Sequence, residues 1–258
     1  MMRIRSNSMK AKLKENQIVV GGRLGSYCPE MVELFGALEY DYVTIDCEHL
    51  PMDEREVENL IRAGDAFNIP VIIRMAFSED QILRYLDVGA AGVHIPRINT
   101  AVDARAVVQA CRFYPEGSRT VYEKGRGAWF GLDVIGREYT EMANREVFVL
   151  CQLEEVEAVQ NLSEILAVPG IDCIQIGPRD LWQSMGMPDQ AEVDRTMDAM
   201  IVEIVKAGVD VSLSVVFDRE ATKRRYELGV KKFDLGLSDL VALAGAEFLR
   251  EIRHLGDG

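Results

Sequence analysis

Short apolar runs alternate with stretches of helical periodicity along the whole chain. IVVGG (Ile18–Gly22) comes first, followed by PEMVELFGAL, which has helical spacing from Pro29. YVTID (Tyr42–Asp46) precedes DEREVENLIRAGDAF, for which Asp53 is the predicted N-cap. PVIIR (Pro70–Arg74) precedes SEDQILRYLDVG, with Ser78 as cap and Gly89 as stop. AGVHIP (Ala91–Pro96) precedes TAVDARAVVQACRF. The pattern breaks over Tyr114–Arg145, a Gly- and Arg-rich stretch with a short helix predicted near Glu138–Asn144. It resumes with VFVLCQL and a helix over VEAVQNLSEILAV, then IDCIQIG, whose helix is delayed to about Glu192–Ala207. VDVSLSVV with DREATKRRYELG, and KKFDLGL with SDLVALAGAEFLREIRHL, complete the series.

Near-continuous Val/Ile strands are buried on both faces, as in a parallel sheet flanked by helices. Eight strand–helix units in one chain of 258 residues predict a (β/α)₈ TIM barrel, a single domain over 1–258. An open doubly wound sheet is the alternative, but no GxGxxG opens the first strand–helix turn.

In a barrel the chemistry collects where strands end. Strand two ends in Asp46-Cys47-Glu48-His49, strand three in Arg74, strand five in Gln152-Leu153-Glu154, strand six in Gly177-Pro178-Arg179-Asp180. Glu154 and Asp180, from adjacent strands, can share one divalent ion, and all-oxygen ligation suits Mg²⁺ or Mn²⁺. The competing reading makes them caps of the helices that follow. His49, after two acids at a strand end, is a candidate acid–base group, with Asp46 or Asp87 to orient its ring. Arg74 fits a substrate carboxylate or enolate oxygen, or else a structural ion pair with Asp46 or Glu48. His94, inside strand four, reads as a satisfied core histidine, and His254 as a surface residue.

The formal net charge of −13 argues against nucleic acid and anionic membrane surfaces as partners. No apolar run approaches the ~20 residues of a membrane span. Five cysteines without a CxxC pair fit free thiols in a reducing cytoplasm. The basic start lacks an apolar signal core, and Met1–Ser8 reads as a frayed, disordered leader before Met9.

Five segments in order, IDCEH, PVIIR, LDVGAAGVHIP, CQLE and IGPRDLWQSMG, resemble the HpcH/HpaI family of class II 2-oxo-acid aldolases, over about Gly21–Leu243. The resemblance implies a metal bound by Glu154 and Asp180, with Mg²⁺, Mn²⁺ or Co²⁺ as candidates. It implies a catalytic His49 supported by Asp46 and Asp87, an oxo-acid-binding Arg74, and Gln152 lining the same site. Gly177, Pro178, Arg179 and Asp180 would lie along the substrate. The implied reaction forms or cleaves 4-hydroxy-2-oxo acids through a pyruvate-type enolate, from a 2-oxo acid (pyruvate or oxaloacetate type) and an aldehyde. The implied assembly is a homo-hexamer, a trimer of dimers, with the last helix swapped between subunits.

Five positions depart from the family's common pattern: Cys47, Arg97, Thr120, Arg179 and Trp182. Arg97, Arg119, Arg126 and Arg179 are expected to enrich the mouth in positive charge, suiting a di- or tricarboxylate or a phosphorylated aldehyde. The alternative functions are a citrate-synthase-like enzyme condensing oxaloacetate with acetyl-CoA, with the Tyr114–Arg126 loop as nucleotide path, and a decarboxylating carbon–carbon bond-forming enzyme. An inactive oxo-acid sensor would lack a ligand or His49, and neither is missing. Cys47, beside His49, is a candidate for thiol sensitivity.

Overall fold

The computed structural model describes residues 6–215 and 218–255. Helix α1 (Ser8–Lys14) comes first, then β1 (Val19–Leu24), α2 (Pro29–Ala37), β2 (Tyr42–Asp46), α3 (Glu54–Ala66), β3 (Val71–Arg74) and α4 (Glu79–Asp87). Next are β4 (Gly92–Ile95), α5 (Ala101–Cys111), an irregular 3₁₀ stretch (Arg126–Gly131), α6 (Gly136–Glu146), β5 (Phe148–Leu153), α7 (Val156–Gln160) and α8 (Leu162–Leu166). The chain continues through β6 (Cys173–Ile176), α9 (Pro178–Ser184), α10 (Gln190–Lys206), β7 (Asp210–Ser214), α11 (Arg219–Glu227), β8 (Lys232–Gly236) and α12 (Leu237–His254). The eight strands pair in parallel and in chain order, and β8 closes on β1. This is the predicted TIM barrel.

The expected caps hold: Asp53 accepts from the backbone of Arg55 and Glu56, and Ser78 from Gln81. Three expectations change. The helix expected over residues 156–168 is two short helices meeting at Asn161, whose side-chain amide donates to the Asn99 carbonyl. The helix expected at about Glu192–Ala207 is α10, but an unexpected short helix precedes it: α9 starts directly after β6 on Pro178, the proline fixing its first turn. The leader is the third. Met1–Arg5 lie outside the described residues, but Asn7 is buried and caps α1, while Ser8 begins that helix. Asn7 donates to the carbonyls of Ala91 and Glu146, and Lys10 to that of Val147, which ties the segment to the starts of β4 and β5.

The barrel interior is filled in tiers. Met9 and Leu13 of α1 pack with Val19, Tyr42, Ile72, Phe148, Leu150 and Cys173 and close the end where the strands begin. Beside them Lys232 is wholly buried, donating to the Tyr42 hydroxyl (2.8 Å) and to Ser212 (3.2 Å), and Tyr42 in turn donates to the Phe233 carbonyl. Gly21 lets the Tyr42 ring lie there: a Cβ would sit 2.1 Å from it. Towards the strand ends the inward positions turn polar, with Arg23, Asp46, Arg74, His94, Gln152, Gln175, Ser214 and Asp234. A second, larger core of Val, Ile and Leu lies between strands and helices.

Candidate active site

Strand pairing brings Arg74 beside Asp46 on one side and His94 on the other. Arg74 is buried; Nη1 donates to Asp46 Oδ2 (3.2 Å), while Nη2 lies 2.8 Å from Glu48 Oε2 and 3.1 Å from His49 Nε2. An arginine only donates, so His49 Nε2 accepts in this arrangement and carries its lone pair, leaving the ring proton on Nδ1. The ion pair with both acids is therefore present, but it does not exhaust Arg74, whose buried Nε has no partner among the described residues. Asp46 Oδ1 accepts the backbone N–H of Glu48 (3.1 Å) and of His49 (3.3 Å). Asp46 thus shapes the turn that presents His49 and does not bond its ring.

Glu154 follows β5 and is buried. Gln152 Nε2 donates to its Oε2, and the Arg97 backbone N–H donates to its Oε1 (3.1 Å). Arg97 adopts a left-handed φ of 56° to do so, a strained conformation for a residue with a Cβ. The Gln152 amide oxygen is 2.5 Å from His94 Nε2. With the amide nitrogen committed to Glu154, that oxygen accepts, so His94 is the Nε2–H tautomer. Burial, and then the nearby Arg74 and Lys232 cations, push the His94 pKa well below its usual value, which keeps the ring neutral. Its Nδ1 has no partner among the described residues. The expected satisfied core histidine is half-satisfied, and it positions Gln152 and through it Glu154.

Asp180 sits in the first turn of α9, but the N-cap is Gly177, which makes no side-chain cap bond. The helix-cap reading fails for both acids, since α7 is capped at Glu155, also without a side-chain bond. Burial raises the Glu154 carboxyl above its ordinary range, and the like charges of Asp180 and Glu48 add to this, opposed by Gln152 and Arg74. Two acids held within electrostatic reach favour a cation between them. Gly177 leaves the space: a Cβ there would lie 2.6 Å from Glu154 Oε2. The donor set is hard oxygen and fits a divalent ion of the Mg²⁺ or Mn²⁺ type. Among the described residues no group of three or more His, Cys, Asp or Glu is placed to hold one ion, so solvent or substrate oxygens would complete its shell.

Several expected participants are elsewhere. Asp87 ends α4, at the barrel end where strands begin, and pairs with buried Arg119 (2.7 Å), not with His49. The segment between α5 and α6 lies at that same end, because it links a helix to the next strand. Arg119 stacks on Phe113, and Arg126 pairs with Asp65 and donates to the Val88 carbonyl. Neither arginine reaches the mouth of its own chain, and the Tyr114–Arg126 loop offers that mouth no nucleotide path. Arg97 and Arg179 do lie at the mouth, exposed, with Arg97 Nη2 3.8 Å from Glu48. Pro178 starts α9 beside them. Trp182 turns away, its indole N–H donating to the Pro188 carbonyl. The Cys47 thiol is pushed up to about 12 by burial and by Asp46, which suppresses the reactive thiolate.

Sequence reasoning passed over Arg23. It lies near the end of β1 and faces inward, its Nη1 donating to Ser214 Oγ (3.1 Å). Alternation along GGRL, read as a strand, places Arg23 on the same face as Gly21, which is the signal that was there to use.

The family model for HpcH/HpaI aldolase/citrate lyase matches residues 24–243. A 4-hydroxy-2-oxo-heptane-1,7-dioate aldolase of Shigella sonnei is 32% identical over 249 residues, covering 94% of this chain and 93% of that protein. A 2-keto-3-deoxy-L-rhamnonate aldolase of Escherichia coli is 36% identical over 208 residues, covering 79% and 77%. The crystal structure of an HpcH/HpaI aldolase/citrate lyase family protein from Burkholderia cenocepacia superposes with a TM-score of 0.87 at 31% identity, covering 96% of this chain and all of that one.

Proposed function

This chain belongs to the HpcH/HpaI aldolase/citrate lyase family, and on that premise we propose that it is a divalent-metal-dependent aldolase that cleaves and forms 4-hydroxy-2-oxo acids. The observation that carries the proposal is the meeting, in one mouth, of the Glu154–Asp180 acid pair with His49 and the buried Arg74 guanidinium that contacts it.

A bound Mg²⁺ or Mn²⁺ would supply Lewis-acid stabilisation of charge developing on the 2-oxo oxygen. Glu154 and Asp180 would hold it, with Gln152 and His94 fixing Glu154. The charge of Arg74, beside the mouth, favours the oxo-acid carboxylate and the enolate. In the cleavage direction His49 Nε2 exchanges its bond from Arg74 for the C4 hydroxyl and takes that proton as the C3–C4 bond breaks. The bond's electron pair passes into the enolate, the aldehyde leaves, and a proton returns to C3 to give pyruvate. Asp46 holds the turn that aims His49. Asp87 has no role in the mouth of its own chain.

Helix α12 buries none of its residues and turns Val241, Phe248, Leu249 and Ile252 to solvent. That unpartnered face supports an exchange of the last helix between copies, within a homo-hexamer. Among the described residues no helix is long and apolar enough to cross a membrane, and the five cysteines are free thiols, which supports a cytoplasmic setting.

The test is pyruvate release from a panel of 4-hydroxy-2-oxo acids, with Mg²⁺, Mn²⁺ or EDTA, run beside an oxaloacetate plus acetyl-CoA assay. Metal-dependent pyruvate release with no CoA release is expected. Release of CoA without any aldol cleavage would overturn the reading.

A further inference from the structure

We propose that Arg23 is a specificity-determining residue which, granted the aldolase reading above, binds the distal carboxylate of an acid-terminated aldehyde, so that the preferred substrate is a diacid.

Position comes first. In an eight-stranded barrel closed in chain order, β1 stands opposite β5. Arg23 on β1 therefore faces Glu154, which follows β5, across the mouth. An oxo acid anchored at Glu154 and Asp180 extends its far end towards Arg23. The arginine side chain is 27% exposed, so it is open to the mouth and still held by the barrel wall. Ser214, the last residue of β7, fixes Nη1, and Ser214 itself donates to Asp234 Oδ1 (2.7 Å). Among the described residues no hydrogen bond engages Nε or Nη2. The planar fork is thus pre-oriented with donors free, as carboxylate recognition requires.

Charge is the second argument. Asp234 is buried, with a side chain 1% exposed. Arg23 Nη1 is 3.9 Å from Asp234 Oδ1, and the same carboxylate acts electrostatically on the buried Lys232 ammonium. Arg23 thus has a single counter-ion at the long distance of 3.9 Å, and of the two cations it is the one that meets the mouth. Arg74 is the reverse case, one guanidinium between Asp46 and Glu48. Arg97 already leans on Glu48 and is 61% exposed. Arg179 is exposed, with no hydrogen-bond partner among the described residues to hold it. Arg23 is the mouth arginine that combines support, free donors and only one distant counter-ion.

The experiment compares kcat/KM for pyruvate release from 4-hydroxy-2-oxoheptane-1,7-dioate and from 4-hydroxy-2-oxohexanoate, whose tail is uncharged, in wild type, Arg23→Met and Arg23→Lys. Loss of a charge-assisted hydrogen bond should lower the diacid-to-neutral ratio about 10- to 100-fold in Arg23→Met. Arg23→Lys, which keeps the charge, should retain most of the ratio. Titration calorimetry with succinate in EDTA should show at least about tenfold weaker binding to Arg23→Met. An unchanged ratio in Arg23→Met would overturn the assignment. If wild type releases no pyruvate from either compound, the aldolase reading falls and calorimetry decides alone: weakened succinate binding upholds the anion site, and equal binding removes it. Circular dichroism melts confirm that each variant is folded.

Discussion

Where the strands begin, Lys10 and Arg112 both pair with Asp172, Arg119 takes Asp87, and Arg126 takes Asp65. Where the strands end, the like charges of Glu154 and Asp180 are held within electrostatic reach of each other. At the first end these cations sit directly on carboxylates, whereas at the second Glu154 and Asp180, two like charges, have no salt-bridged cation among the described residues. Paired buried charges hold structure, whereas unpaired ones raise the energy of the free protein until something binds. The second end is where a ligand has most to offer.

The contrast breaks most visibly if the unpaired acids are removed. Glu154→Ala with Asp180→Ala should abolish Mn²⁺ binding, read by electron paramagnetic resonance, and lower metal-dependent exchange of pyruvate methyl protons more than about 10³-fold. The fold should survive, because a like-charge pair is lost. Full exchange in chelator would remove the metal assignment.

At the opposite end the pattern of damage inverts. Arg119→Met leaves Asp87 half-buried without its cation, and should cost about 3 kcal/mol of stability in urea unfolding. The metal-binding constant of the folded protein should stay the same. A variant with wild-type stability and weakened metal binding would erase the division between the ends.

Asp210 offers the smallest and most selective test. Burial and the nearby Asp172 push its carboxyl up to about 6, so the native state holds a proton that the unfolded chain has lost. Between about pH 4 and pH 6 the folded form binds more protons, so this group's contribution to stability falls as pH rises and is lowest above pH 6. Asp210→Asn should therefore add about 1–2 kcal/mol at pH 7.5, allowing for its partial exposure, and almost nothing at pH 4. Equal gains at both values would refute the shift.

The eight units were legible because apolar runs of four or more residues, each followed by capped helical periodicity, leave few other folds. Glu154 and Asp180 were legible from their place after strands. The Arg119 and Arg126 placement was misread for want of a simple rule: Tyr114–Arg145 follows a helix and precedes a strand, so it belongs to the end remote from the mouth. Asp87, the last residue of α4, falls to the same rule. Arg23 and His94 were hidden for another reason. Each sits inside an apolar strand, and only the side its Cβ takes, together with partners from β5, β7 and β8, shows what it does. The split at Asn161 depends on a bond to Asn99, far away in sequence.

The Met9–Leu13 plug has a kinetic consequence. A vessel stoppered at one end has a single doorway, so both reactants and both products share it. In the proposed reaction the oxo acid lies against Glu154 and Arg74, and the aldehyde lies nearer the opening. The aldehyde then arrives second and departs first, and pyruvate leaves last. Steady-state inhibition by pyruvate should accordingly be competitive with the cleaved substrate, and the aldehyde should inhibit in a mixed pattern, trapping pyruvate behind it.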